Sequence, residues 1–432
     1  MLFGSAYAFT RGAGDFAVFH AAWKLALEGK GATLYHATPD RFLYAPGFAF
    51  LFAPLGWISE KVALAFWCAL KAFALVLVLR RALRLEAHSE NSTDVELKAD
   101  GAARIEPELY ICRDAGKKFP AWIAALAVII VARPLMIDFQ YGQVNTWILL
   151  ACWAALLGRA ERASSGSERT SSGQEHLLQT FFEWFALAVA GWAKLFPLPL
   201  LLLPFLPGSL TPGRRSERLG VILATVAIFG LPLVLGFDTA WALHLDWWKA
   251  LHERGLPLES HNQSLSAVLH HLFTGQPTHI ISLYASRNLT WFHWFSLETV
   301  QKLTLAWAAI SGGVLLGWLL TRRDRSTVWS ALLIGGLILP SHLVWKPYFL
   351  MAMPAALVAL SKLSGMKPSP SRVRVWLPLL LGFALINLTG FDLMGLELAA
   401  RLEGSGAFLV GYLMILWAAW ATQEGTSGAG AN

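Results

Sequence analysis

An aspartate at the head of an amphipathic stretch, four basic residues beside apolar runs and several amides at the same borders are the groups in this sequence best suited to chemistry. Asp15 stands at the start of the stretch from Gly14 to Gly29, whose apolar residues recur at helical spacing and which ends on glycine. Such a stretch reads as an amphipathic helix lying in a membrane interface. Asp15 is then either an N-cap that accepts backbone N–H groups, worth roughly 1 kcal/mol, or a carboxylate placed at the membrane surface to take a proton from an acceptor hydroxyl. Arg133, Lys194, His342 and Lys346 lie at or near the ends of apolar runs. A cation within a bilayer costs roughly 3 kcal/mol or more unless it is paired or hydrated, which marks each of them as a functional candidate. Local sequence also allows Lys194 to pair with Glu183 or snorkel to an interface, and Arg133, just before Pro134, to be a helix-end anchor. Gln143, Asn145, Asn262 and Gln263 are uncharged donors and acceptors suited to sugar hydroxyls, although Asn145 and Asn262 are equally able to cap helices. His261, His270, His271, His279 and His293 share no helix-face spacing and no accompanying pattern of carboxylates, so neither a metal site nor a cofactor is expected.

The elements that must position these groups are membrane spans. The chain has 432 residues, of which 56% are apolar and only 15% charged, with 20 Trp and 26 Phe against 8 Tyr. This composition excludes disorder, collagen, coiled coil and an ordinary soluble enzyme. Apolar runs with cores at 62–79, 120–132, 144–158, 181–206, 219–237, 303–320, 328–340, 348–360, 375–388 and 407–421 predict an all-α polytopic bundle of about ten spanning helices within a single domain over 1–432. The run at 181–206 holds Lys194, Pro197, Pro199 and Pro204, and so predicts a bent or re-entrant pair. Gly313 and Gly317 form a small-residue pair expected to serve helix packing.

The net charge of +7 comes from basic clusters between the apolar runs, among them Arg80, Arg81 and Arg84, and Arg322, Arg323 and Arg325. The positive-inside rule accounts for this arrangement, and no basic stripe with interleaved aromatics points to nucleic acid. With the clusters in the cytoplasm, 86–118 and 159–176 read as flexible cytoplasmic loops. The segments 1–60, 138–145, 238–301, 341–348 and 388–405 then face outward, 238–301 as one large outer loop. Leu2 to Phe9 reads as the tail of a missing first helix. The three cysteines offer no disulfide framework.

Beyond the single residues, their order is informative. Asp15-Phe16 is followed by a helix ending Gly29 to Tyr35, then Tyr44-Ala45-Pro46-Gly47-Phe48, Pro54-Leu55, Arg133-Pro134, Gly142-Gln143-Val144-Asn145, Lys194-Leu195-Phe196-Pro197, Asn262-Gln263-Ser264-Leu265 and Trp345-Lys346-Pro347-Tyr348. Over roughly residues 14–360 this series resembles glycosyltransferase family 87, the polyprenyl-phosphate-mannose-dependent membrane enzymes of the GT-C class. The resemblance implies a GT-C-type bundle with short interfacial helices in its outer loops. It also implies transfer of a hexose, mannose in the first place, from a polyprenyl-phosphate donor to a glycolipid or glycan acceptor at the outer face of the inner membrane. By the same resemblance Asp15 is the base; the basic residues His342, Lys346, Arg133 and Lys194 are then the candidates to hold the donor phosphate, and Tyr44, Gln143, Asn145, Asn262, Gln263, Trp345 and Tyr348 the candidates to line the sugar and acceptor. A polyprenyl phosphate leaves without a protonating acid, so one base suffices, and direct displacement inverts the anomeric carbon. The sequence departs from the family pattern after the late Trp, where Lys346-Pro347 replaces a histidine and His342 stands upstream. A transporter or flippase is the alternative by helix count, but no internal repeat is visible and the polar motifs gather at helix ends. An inactive envelope scaffold is the other.

Overall fold

The computed structural model describes residues 14–38, 42–99, 121–165, 173–206, 212–253, 259, 261–275, 277–280, 285–287, 291–321 and 327–427. Among the described residues its α-helices longer than four residues are α1 (Gly14–Leu27), α2 (Pro46–Leu51), α3 (Glu60–Ala99), α4 (Ala121–Ile130), α5 (Ala132–Gln140), α6 (Asn145–Ser165), α7 (Gly173–Ala193), α8 (Pro212–Gly230), α9 (Phe237–Glu253), α10 (Leu265–Phe273), α11 (Leu297–Thr321), α12 (Thr327–Gly336), α13 (Met353–Gly365), α14 (Pro370–Asn387), α15 (Leu396–Gly404) and α16 (Ala407–Ser427). The fold is an all-α polytopic bundle. Within 238–301, α9 and α10 replace part of what reads as loop, and a two-stranded antiparallel hairpin pairs Thr278 with Arg287 and Ile280 with Ala285.

Among the described residues four segments are long and apolar enough to cross a membrane: Glu60–Arg84, Arg214–Leu235, Leu297–Leu320 and Lys346–Gly365. Two bent pairs, Ala121–Ile130 with Ala132–Gln140 and Leu396–Gly404 with Ala407–Gln423, raise the number to six if each is one span. Both bends have local causes. Pro134 in the first turn of α5 clashes with a continuing helix at the carbonyl four residues back, and the axis turns by 71° at Val131. Gly406, at φ 85°, breaks α15 from α16 at 57°.

The four spans differ in burial, and the difference locates the core. In Lys346–Gly365 83% of the apolar window is buried, whereas in Leu297–Leu320 only 11% is. The first is therefore a central element with protein on every side. It opens as a tight 3-10 helix, Lys346–Ala352, that continues into α13 and packs on α4, α5, α6, α12 and α16. Lys346 and Tyr348 thus enter at the hub of the bundle.

Close helix packing falls on other glycines than Gly313 and Gly317, which meet nothing within 4 Å of an added Cβ. At Gly382 such an atom would lie 2.8 Å from the Gly411 carbonyl, so α14 and α16 touch backbone to backbone. The segments read as cytoplasmic loops are partly helical: α3 runs on to Ala99, α6 reaches Ser165 and α7 starts at Gly173. Residues 81–99 contain neither Gly nor Pro, and good helix formers carry the helix past the apolar run. The rest of those segments, the run Leu2 to Phe9, and Cys112 lie outside the described residues. The 181–206 run is a helix ending at Ala193 followed by the 3-10 helix Leu198–Phe205, a break that Pro197 and Pro199 enforce.

Candidate active site

Asp15 sits in the first turn of α1, not ahead of it, so it complements the positive helix end without being the N-cap residue. Phe16, Phe19 and Trp23 bury the inner face of α1 among Phe48, Phe52 and Trp67, while Asp15 stays partly exposed. The start of the helix is pinned from outside. Phe16 N–H, an unsatisfied donor of the first turn, donates to the Tyr141 carbonyl at 3.1 Å, an unsatisfied acceptor at the end of α5. Behind Tyr141, Gly142 takes φ 62°, and an added Cβ there would lie 2.6 Å from Phe16 Cβ. Only glycine lets the α5–α6 turn approach α1 this closely.

That turn is held from below by a carboxylate. Asp138, fully buried, receives Lys71 Nζ at 2.7 Å, Asn145 N–H at 3.1 Å, Asn145 Nδ2 at 3.1 Å and Thr146 Oγ1 at 2.6 Å. Asp138 is thus the residue that caps α6, the role open to Asn145 on sequence grounds. Gln143 Oε1 takes a further bond from Asn145 Nδ2, and Lys71 also donates to the Gln143 carbonyl at 3.0 Å. Lys194 reaches the same amide, donating to Asn145 Oδ1 at 3.2 Å, with its ammonium 4.2 Å from the centre of the Tyr348 ring. Lys194 does not pair with Glu183, because Glu183 binds Arg81. Gln143, Asn145, Lys194 and Tyr348 are therefore gathered around one turn, and the first turn of α1, which carries Asp15, is bonded to its edge through Phe16.

A second polar cluster joins the other cations. Glu403, on α15 and fully buried, places one oxygen 2.7 Å from Arg133 Nη2 and the other 2.7 Å from Lys346 Nζ. Arg133 also donates to Thr389 Oγ1 at 3.2 Å, and its backbone N–H to Asn387 Oδ1 at 2.9 Å. Gln263 Nε2 donates to the Glu403 carbonyl at 2.8 Å. Asn262 serves the late loop: it accepts Val344 N–H at 3.0 Å, donates to the His342 carbonyl at 3.3 Å and forms a backbone bridge with Trp345. Both amides are fully buried in these clamps, and Ser264, not Asn262, caps α10. The His342 side chain is accessible, yet the protein mass around it disfavours the charged ring and lowers its pKa. His261 is driven down to about 3, first by burial and then by Lys346 and Arg133. Tyr44 belongs to the aromatic wall behind α1, its ring 4.9 Å from Phe19 and 5.3 Å from Phe48.

The geometry thus leaves Lys194 and His342 reachable and ties Arg133 and Lys346 into an ion-pair cluster. Reading motifs alone misses Lys71, Asp138, Thr146 and Glu403. Lys71 carried a signal, being a lysine in the middle of an apolar run; Asp138 and Glu403 gain theirs only from partners that folding supplies.

The sequence profile of glycosyltransferase family 87 matches residues 42–347, well over half of the chain. The chain belongs to glycosyltransferase family 87. No curated protein and no solved structure matches it. The family match takes in the Gly142–Asn145 turn, Lys194, Asn262 and Lys346, while Asp15 lies before it and Glu403 after it. Family membership makes the protein a membrane glycosyltransferase and leaves the reacting groups to be argued from the cluster itself.

Proposed function

We propose that the protein transfers a hexose, mannose in the first place, from a polyprenyl-phosphate donor to a glycolipid or glycan acceptor at the outer face of the cell membrane, with inversion and with Asp15 as the general base. One observation supports this reading: the turn that accepts the Phe16 N–H, next to Asp15, carries Gln143 and Asn145, and Asn145 in turn receives Lys194. Lys194 holds the donor phosphate. It is partly exposed, and its contacts are an amide oxygen and a ring face, neither of which neutralises it. Neutral His342 adds a hydrogen bond without charge, while Arg133 and Lys346 raise the local potential from behind. Gln143 lines the sugar, with Asn145 and Tyr348 buried behind it and Tyr44 and Trp345 shaping the walls. Asn262 and Gln263 act by holding the loop that carries Trp345 and Lys346. A polyprenyl phosphate needs no acid catalyst, so a single carboxylate, Asp15, suffices for this mechanism.

The test is transfer from radiolabelled polyprenyl-phosphate mannose by membranes containing the protein, with wild type set against Asp15→Asn and Lys194→Ala. Asn keeps size and polarity at position 15 but takes no proton at neutral pH. Transfer should therefore fall roughly 100-fold or more while the folded protein and donor binding persist. Lys194→Ala should raise the donor KM by roughly 10- to 100-fold, the worth of one charge-assisted phosphate contact. Near-normal transfer by Asp15→Asn would remove the aspartate from the reaction, and an unchanged donor KM in Lys194→Ala would move the phosphate elsewhere.

A further inference from the structure

The buried pair of Lys71 and Asp138 lies outside the reaction just described, and both side chains are fully buried. A buried ion pair is no stability device in itself, since apolar side chains of similar volume often serve as well or better. Its use here is directional. Asp138 serves only as an acceptor in this network, and it takes four donors, two of them from Asn145. With one Nδ2 hydrogen on Asp138 and the other on Gln143 Oε1, the Asn145 amide has a single orientation. Turning it over would set Oδ1 against a carboxylate oxygen and the Gln143 oxygen, three acceptors with no proton between them. Asn145 Oδ1 is thereby aimed at Lys194 Nζ. Lys71 completes the arrangement by compensating the aspartate. Without it the carboxylate would be an uncompensated charge near Lys194 and would draw the ammonium inward.

We propose that Asp138, balanced by Lys71, is a positioning residue that orients the Asn145 amide and so holds the Lys194 ammonium on an amide oxygen, without a carboxylate partner, for the donor phosphate. This rests on the reading of Lys194 as the phosphate cation. Neither Lys71 nor Asp138 touches substrate; each acts through Asn145. The network also accounts for the tight α5–α6 turn, because the bonds that orient Asn145 cap α6 and fix the Gln143 carbonyl.

The experiment compares the full-length protein with Lys71→Met/Asp138→Leu, Asp138→Asn, Lys194→Ala and the triple combination. It reads donor KM, acceptor KM, kcat and thermal unfolding in detergent. The double variant removes both charges together and should stay folded; Asp138→Asn keeps the size and is the second route if it does not. In each folded variant the donor KM should rise about tenfold or more with the acceptor KM within about twofold, and adding Lys194→Ala should bring little further change because both act on one ammonium. A folded variant with a wild-type donor KM overturns the inference. A purely structural role would lower the unfolding temperature without moving donor KM against acceptor KM. If Lys194→Ala itself leaves the donor KM unchanged, the phosphate reading fails instead, and the two failures stay distinct.

Discussion

His261 shows how far a single side chain here is governed by its surroundings. It sits against the pair of cations that Glu403 holds, and burial together with Lys346 and Arg133 takes its pKa down to about 3. The unfolded chain protonates the same ring near the ordinary value of about 6.5. Between those two values the unfolded state binds the proton and the folded state does not, so stability falls as pH drops from about 6.5 toward 3 and is unaffected above that window. At pH 5 the loss should amount to about 1 to 2 kcal/mol. Unfolding temperatures measured from pH 7 to pH 5 should slope less steeply in His261→Gln than in wild type, and parallel slopes would mean the ring is protonated in the fold. Such chemistry was only half legible in the sequence. The cations Arg133 and Lys346 stand out beside their apolar runs, but their shared partner is 270 positions from Arg133 in the chain, and nothing local to Glu403 announces it.

At the scale of elements, most of what positions the candidate site follows from spacing and breakers. The helical periodicity after Gly14, Pro134 at the bend and the three prolines after Lys194 lead to α1, to the break between α4 and α5, and to the end of α7. Helix length was less legible. The end of a helix depends on where helix-compatible residues stop and not on where apolar residues stop, and α3 outlasts its apolar run on that account. The contact between α1 and the α5–α6 turn was not legible at all, since it joins two elements through a backbone bond and one glycine. That contact is testable at Gly142. Alanine there meets both a positive φ and Phe16 Cβ at 2.6 Å, so the first turn of α1 has to retreat. Gly142→Ala should lose about 1 to 3 kcal/mol of stability. Transfer should drop by more than the folded fraction explains, because Asp15 moves with the retreating turn. Equal losses of folded protein and activity would show that the contact is packing alone.

For the molecule as a whole, the decisive asymmetry is between a periphery of spans with lipid-facing apolar surfaces and one central segment, Lys346–Gly365, that is largely buried. A central segment that begins with a lysine must bring a counter-charge with it, and the chain supplies one from α15, beyond the family-matched region. Glu403 thereby fastens three parts of the bundle: α5 through Arg133, the central segment through Lys346, and the start of α10 through the Gln263 bond to its carbonyl. Removing it would leave a buried lysine and a part-buried arginine facing each other across Phe408 with no counter-charge between them. Glu403→Ala should therefore destabilise by about 3 to 5 kcal/mol, the range for breaking a buried pair from one side. Replacing all three charges by apolar residues, as in Arg133→Met/Lys346→Met/Glu403→Leu, should recover much of that loss, because the desolvated charges then vanish together. The triple variant also separates two parts of the site: if Lys194 holds the phosphate, donor KM should rise only about twofold to tenfold from the lost background potential. A rise matching that of Lys194→Ala, in a triple variant that unfolds at the wild-type temperature, would place the donor phosphate on Arg133 and Lys346 instead.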